Sequence, residues 1–174
     1  DLHMKDIYLS HSTKKISPTL PEGKSTMAGR WVRSEPIVID GNANTCYIQG
    51  IFDTVVSFDD GSYGVIDFKT TKPRKSHVEF YGRQLNAYAY ALQHPAPGKP
   101  FLSPITRLGL LCFYPQDMDE ISPQNLSLIG PAEWVEVSLD EGKFLAFIAD
   151  VMDVLELTAP PEADEDCKFC AYRT

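Results

Sequence analysis

Cys46-Tyr-Ile-Gln-Gly-Ile-Phe-Asp53-Thr-Val-Val-Ser-Phe-Asp-Asp-Gly-Ser-Tyr-Gly-Val-Ile-Asp67-Phe-Lys69-Thr70-Thr71 reads as two strands joined by a tight turn, with charges where strands should be apolar. Asp59-Asp60-Gly61-Ser62 supplies the turn, Asp-Gly being a strong hairpin signal. Asp53 interrupts an apolar run. Asp67 and Lys69 stand two residues apart on the strand led in by Val65 and Ile66, so their side chains share a face. A buried carboxylate beside an ammonium is costly unless something binds there. Two carboxylates brought together across neighbouring strands repel, and a divalent cation removes that repulsion while an adjacent lysine can hold or polarise a water.

Working outward, Trp31–Ile39 alternates as a strand, and Asp40-Gly-Asn-Ala-Asn44 is a turn cluster leading into a Cys46–Phe58 strand. Thr70–His77 is a loop. Ser76 with Glu79 fits a capping box for a helix reaching about Gln93, whose Leu85, Tyr88, Ala89 and Leu92 share a sheet-packing face. Gln84 and Tyr88, four apart, are neighbours on that helix. Arg107–Tyr114 is a nearly continuous apolar run, as expected of a central strand buried on both faces. Glu133–Ser138 alternates as a strand with one wet face, and Asp140–Leu157 carries apolar residues at helical spacing, predicting a second helix over the sheet. Residues 1–30 are poorly periodic and read as an irregular N-terminal arm or remnant, with residues 31–174 as a single domain. The order suits an α/β (α+β) fold in which helices flank a central mixed β-sheet.

The chain has 174 residues, 43% of them hydrophobic and 11% aromatic, enough for a proper core. No apolar run approaches the ~20 residues that cross a bilayer, and no signal peptide opens the sequence. Four cysteines without regular pairing suggest intracellular thiols or metal ligands, and hence a cytoplasmic protein. The net charge of -8 argues against a generic nucleic-acid coat. Its distribution softens that objection: residues 69–83 carry Lys69, Lys72, Arg74, Lys75 and Arg83 against Glu79, whereas residues 140–166 carry nine acids against Lys143.

Three segments in order, Gly50-Ile-Phe-Asp53, Gly64-Val-Ile-Asp67-Phe-Lys69-Thr70 and Tyr81-Gly-Arg-Gln84-Leu-Asn-Ala-Tyr88-Ala, resemble the PD-(D/E)XK nucleases, and within them the RecB-like and Cas4-like branch. The resemblance implies a restriction-endonuclease-like core and a Mg2+- or Mn2+-dependent deoxyribonuclease. In it Asp53, Asp67 and the Phe68 backbone carbonyl would hold the metal, Lys69 would position the attacking water, Gln84 would bond near that water or Lys69, and Tyr88 would pack against the strand. Lys72, Arg74, Lys75 and Arg83 would contact DNA phosphates. The expected setting is exonucleolytic DNA repair, recombination or phage/CRISPR-type processing, with a helicase or recombination partner and no membrane. A catalytically silent scaffold of the same fold is the alternative, and a different metal hydrolase is a third reading whose His-rich ligand set is missing.

Cys167-Lys-Phe-Cys170 has metal-ligand spacing, and Cas4-like and AddB-like relatives hold a four-iron cluster with such a pair. Four thiolates are needed, and Cys46 and Cys112 fall on expected strands as small buried hydrophobes. The set is incomplete, so the pair is read either as part of an iron-sulfur or zinc site in the intact protein or as a relic or a pair whose partners lie outside this sequence. His77 and His94 flank the helix, and His3 and His11 sit in the arm, without a supporting motif.

Overall fold

The computed structural model describes residues 2–162 and 166–167. In chain order the elements are α1 (Leu2–Tyr8), β1 (Gly23–Ala28), β2 (Trp31–Arg33), β3 (Ile37–Val38), β4 (Thr45–Cys46), β5 (Gln49–Ile51), β6 (Thr54–Phe58) and β7 (Tyr63–Lys69). Then follow α2 (Lys75–Gln93), β8 (Ile105–Phe113), β9 (Asp117–Ser122), β10 (Asn125–Ile129), β11 (Ala132–Val137) and α3 (Glu141–Leu155). The central sheet runs β1-β6-β7-β8-β11. Only β7 and β8 are parallel, joined by the α2 crossover; the other neighbours are antiparallel, so the sheet is mixed as expected.

Alternation along the strands sends two sets of apolar side chains to opposite faces. Val55, Val65, Leu108, Leu110 and Cys112 pack with Leu85, Ala89 and Leu92 of α2. On the other face Val56, Phe58, Ile66, Phe68 and Leu111 pack with Ile16 and Leu20, with Met4 and Tyr8 of α1 against them. That second layer corrects the reading of residues 1–30 as an irregular arm. β1 is an edge strand paired to β6, and the segment before it is the lid of one core. Its apolar residues are spaced irregularly because a 3-10 turn at Thr13–Lys15 and two prolines carry them, which hides the burial from any periodic test.

Other elements depart from expectation for local reasons. The Trp31–Ile39 run divides into β2 and β3, and Cys46–Phe58 into β4, β5 and β6, breaking at Asp53. β2 pairs β5 and β3 pairs β4, forming two short ribbons beside the sheet. The expected capping box is absent: α2 begins at Lys75 with Arg74 as cap residue, so Ser76 already lies inside the first turn and no side chain caps the helix. The second helix is capped, Asp140 accepting from the Lys143 N–H at 2.9 Å. Rather than covering the sheet, α3 packs Phe144, Ile148 and Met152 against Tyr90 of α2 and Ile37 of β3. The β9–β10 hairpin went unread because both of its faces meet solvent, which removes the apolar alternation. In β8, Gly109 is required by packing: a Cβ there would lie 2.2 Å from the Trp134 indole of β11.

Candidate active site

Asp53 sits at the break between β5 and β6, and Asp67 and Lys69 sit on the neighbouring β7, on the face that α2 covers. Asp53 Oδ2 accepts the Phe68 N–H at 2.9 Å, which fixes the first acid against the strand carrying the second. The Asp53 main chain is held too, its carbonyl accepting from the Gly29 N–H at 3.0 Å. Asp67 is 3% exposed, and its Oδ2 lies 2.6 Å from Lys69 Nζ. That short charge-assisted contact makes the Lys69 ammonium the partner of Asp67 Oδ2. Burial pushes the Asp67 carboxyl up to about 6; Lys69 opposes the rise and the Asp53 charge adds to it. The charge of Asp53 thus acts on Asp67 across the strand pair.

Lys69 is held from its other side by the Tyr81 ring, whose centroid lies 4.1 Å from Nζ. Tyr81, three residues before Gln84 on one helix face, is a positioning candidate for Lys69. Lys5 of α1 went unread altogether, its Nζ lying 2.6 Å from Asp53 Oδ1. No local signal marked it, because the contact depends on how α1 folds back over the sheet. Gln84 does not reach Lys69 by any hydrogen bond of the described residues; its Nε2 donates to the Tyr88 hydroxyl at 3.0 Å. Tyr88 packs against Gly50 of β5, where an added Cβ would lie 2.9 Å from its ring. The Gln84–Tyr88 pair thus props the ribbon that leads into Asp53.

Lys72 and Arg74 are exposed on the loop after β7 and Lys75 is exposed at the start of α2, with Lys72 Nζ 5.9 Å from the Tyr114 ring centroid. Arg83 leaves this group: it stacks over Phe147 of α3 at 4.5 Å, lining a groove of about 590 Å³ between α2 and α3 that excludes Asp53, Asp67 and Lys69. His11 bonds the Leu9 carbonyl at 3.2 Å, and His94 lies between Glu35 and Glu141, so neither joins the acids. Cys112 is buried in the α2-side core and Cys46 packs beside the α3 cluster, as expected of structural thiols. Cys167 is half-buried, and Cys170 lies outside the described residues. Among the described residues no three His, Cys, Asp or Glu side chains converge.

The donor set nevertheless fits a hard divalent ion. Mg2+ and Mn2+ are held through one or two carboxylates with water completing the shell, and here Asp53 is bonded to the Phe68 N–H immediately after the buried Asp67, which brings two carboxylates to one strand end. A mixed sheet that sets an Asp-x-Lys strand end beside a second acid defines a restriction-endonuclease-like α+β protein. The sequence profile of the PD-(D/E)XK nuclease superfamily matches residues 8–174, and the chain belongs to that superfamily. Members of that superfamily are typically nucleases that use divalent metals. No curated protein matches significantly. The chain is also similar to a solved structure titled "Crystal structure of SSO0001", at 18% identity and a TM-score of 0.46, covering 84% of this chain and 58% of that one. No helix among the described residues is long and apolar enough to cross a membrane.

Proposed function

We propose that the chain is a Mg2+- or Mn2+-dependent deoxyribonuclease of the RecB-like and Cas4-like branch, with Asp53, Asp67 and Lys69 at its centre. The observation that carries this reading is the pairing of Asp53 with the Phe68 N–H, which sets two carboxylates and a lysine at one strand end. A divalent cation bound by the two acids would supply charge stabilisation beside the scissile phosphate and lower the pKa of its water. The chain's own residues do the rest. Asp53 and Asp67, with the Phe68 carbonyl, would hold the cation; Lys69, steadied by Tyr81, would orient the attacking water and meet developing negative charge. Gln84 and Tyr88 keep β5 in place beside Asp53. Lys72, Arg74 and Lys75 steer phosphates toward the strand end. Exonucleolytic repair or recombination, in company with a helicase, and a metal site using Cys167 and Cys170 belong to this same reading.

One feature favours the alternative of a silent binding module: Lys5 and Lys69 already neutralise Asp53 and Asp67. Incubating end-labelled single-stranded and duplex DNA with the protein in Mn2+, Mg2+ or EDTA separates the two. Metal-dependent cleavage that Asp67→Asn abolishes is expected; binding without cleavage in either metal makes the silent module correct.

A further inference from the structure

The β2–β5 ribbon has an outward face that neither core uses. Val32 is buried and Gly50 abuts Tyr88, so the inner face is anchored to the α2 side. Alternation then turns Trp31 and Arg33 outward on β2, and their register partners Ile51 and Gln49 outward on β5. Trp31 is 52% exposed and Tyr47, just before β5, is 49% exposed, large apolar surfaces to leave in water. Arg33 lies over the Tyr47 ring, 3.9 Å from its centroid, and Arg30 is exposed next to Trp31. No carboxylate belongs to this set. Glu35, next in the alternation, is turned to His94, 3.8 Å away.

Aromatic rings interleaved with guanidinium groups on a rigid ribbon suit unpaired bases, which stack on the rings while the cations meet the phosphates. The ribbon also runs into the candidate active site. Ile51 is two residues before Asp53, the Phe52 N–H donates to the Arg30 carbonyl at 3.3 Å, and the Gly29 N–H donates to the Asp53 carbonyl. At about 3.3 Å per residue, Gln49 to Asp53 spans roughly 13 Å, room for about three or four stacked nucleotides at about 3.4 Å each.

We infer that this face, Trp31, Arg33, Tyr47 and Ile51, is a stacking platform that holds single-stranded DNA leading to Asp53. The inference rests on the nuclease reading for the destination of the strand, and its binding arm is measured without metal. A short oligothymidylate is titrated into the protein in EDTA at low salt, with tryptophan fluorescence and anisotropy as readouts, alongside a blunt duplex of the same length. The expected result is fluorescence quenching that Trp31→Ala removes, with affinity for the single strand about tenfold weaker in Trp31→Ala and in Tyr47→Ala. Trp31→Phe should restore affinity to near the original value, and duplex binding should change little. Unchanged single-strand affinity in both alanine variants, an equal loss for duplex, or no single-strand binding by the unmodified protein would overturn the platform. Absence of cleavage in Mn2+ with Trp31-dependent binding intact would instead count against the nuclease reading alone.

Discussion

Burial holds the Asp67 carboxyl at about 6, above the ordinary value near 3.8. In the window between those values the folded chain retains a proton that the unfolded chain has lost. This group's contribution to stability therefore declines as pH rises from about 4 to about 6. Metal binding runs the other way, because the ligand is the carboxylate. Mn2+ affinity of the unmodified protein, followed by calorimetry, is expected to climb from about pH 5 to about pH 7 and then level off; a flat profile would remove Asp67 from the ligand set. Lys5 offers a second handle. Its ammonium occupies Asp53 Oδ1, so Lys5→Met should raise Mn2+ affinity about twofold to fivefold, the worth of a partly exposed ion pair. Asp53, Asp67 and Lys69 were legible in sequence because charges in an apolar strand stand out. Lys5 was not, since a lysine in a polar helix has no such contrast, and for Gln84 helical spacing gives its neighbour Tyr88 but not the direction of its amide.

The loop between β7 and α2 carries its charge for a reason that belongs to the whole element. Lys72, Arg74 and Lys75 leave the strand end that bears Lys69, and all three are exposed. Reversing them to Glu should weaken DNA binding and flatten its dependence on salt, with the far-ultraviolet spectrum unchanged; an unaltered slope of affinity against salt takes the loop out of the DNA path. Arg83 is excluded from this test because it stacks on Phe147. The β6–β7 hairpin, α2 and β8 were readable from turn chemistry and periodicity, which local sequence sets. What sequence could not give was the fragmentation around Pro36 and Asp53 into ribbons, since pairing of two- or three-residue strands is decided by tertiary packing.

Across the whole molecule, the sheet has two cores, and the segment preceding β1 closes one of them. Tyr8 stacks on Phe68 with ring centroids 5.6 Å apart, and Ile16 and Leu20 cover Val56, Phe58 and Ile66. Removing residues 1–22 should therefore expose that face and abolish the cooperative thermal transition seen by circular dichroism; a sharp transition near the original temperature would return the segment to the status of an arm. The superfamily could be recognised from three short motifs because chemistry fixes their residue types, while the lid over Phe68 could not, since any apolar set of fitting shape serves there. The central claim is that ligand acids and a water-positioning lysine share one strand end. Its most direct test is a Mn2+ titration paired with DNA cleavage for the unmodified protein, Asp67→Asn and Lys69→Ala. Asp67→Asn should lose metal affinity and cleavage together, whereas Lys69→Ala should bind Mn2+ as well or better while turnover falls about 10² to 10³-fold. Loss of metal affinity in Lys69→Ala, or cleavage by it at the unmodified rate, would contradict the account.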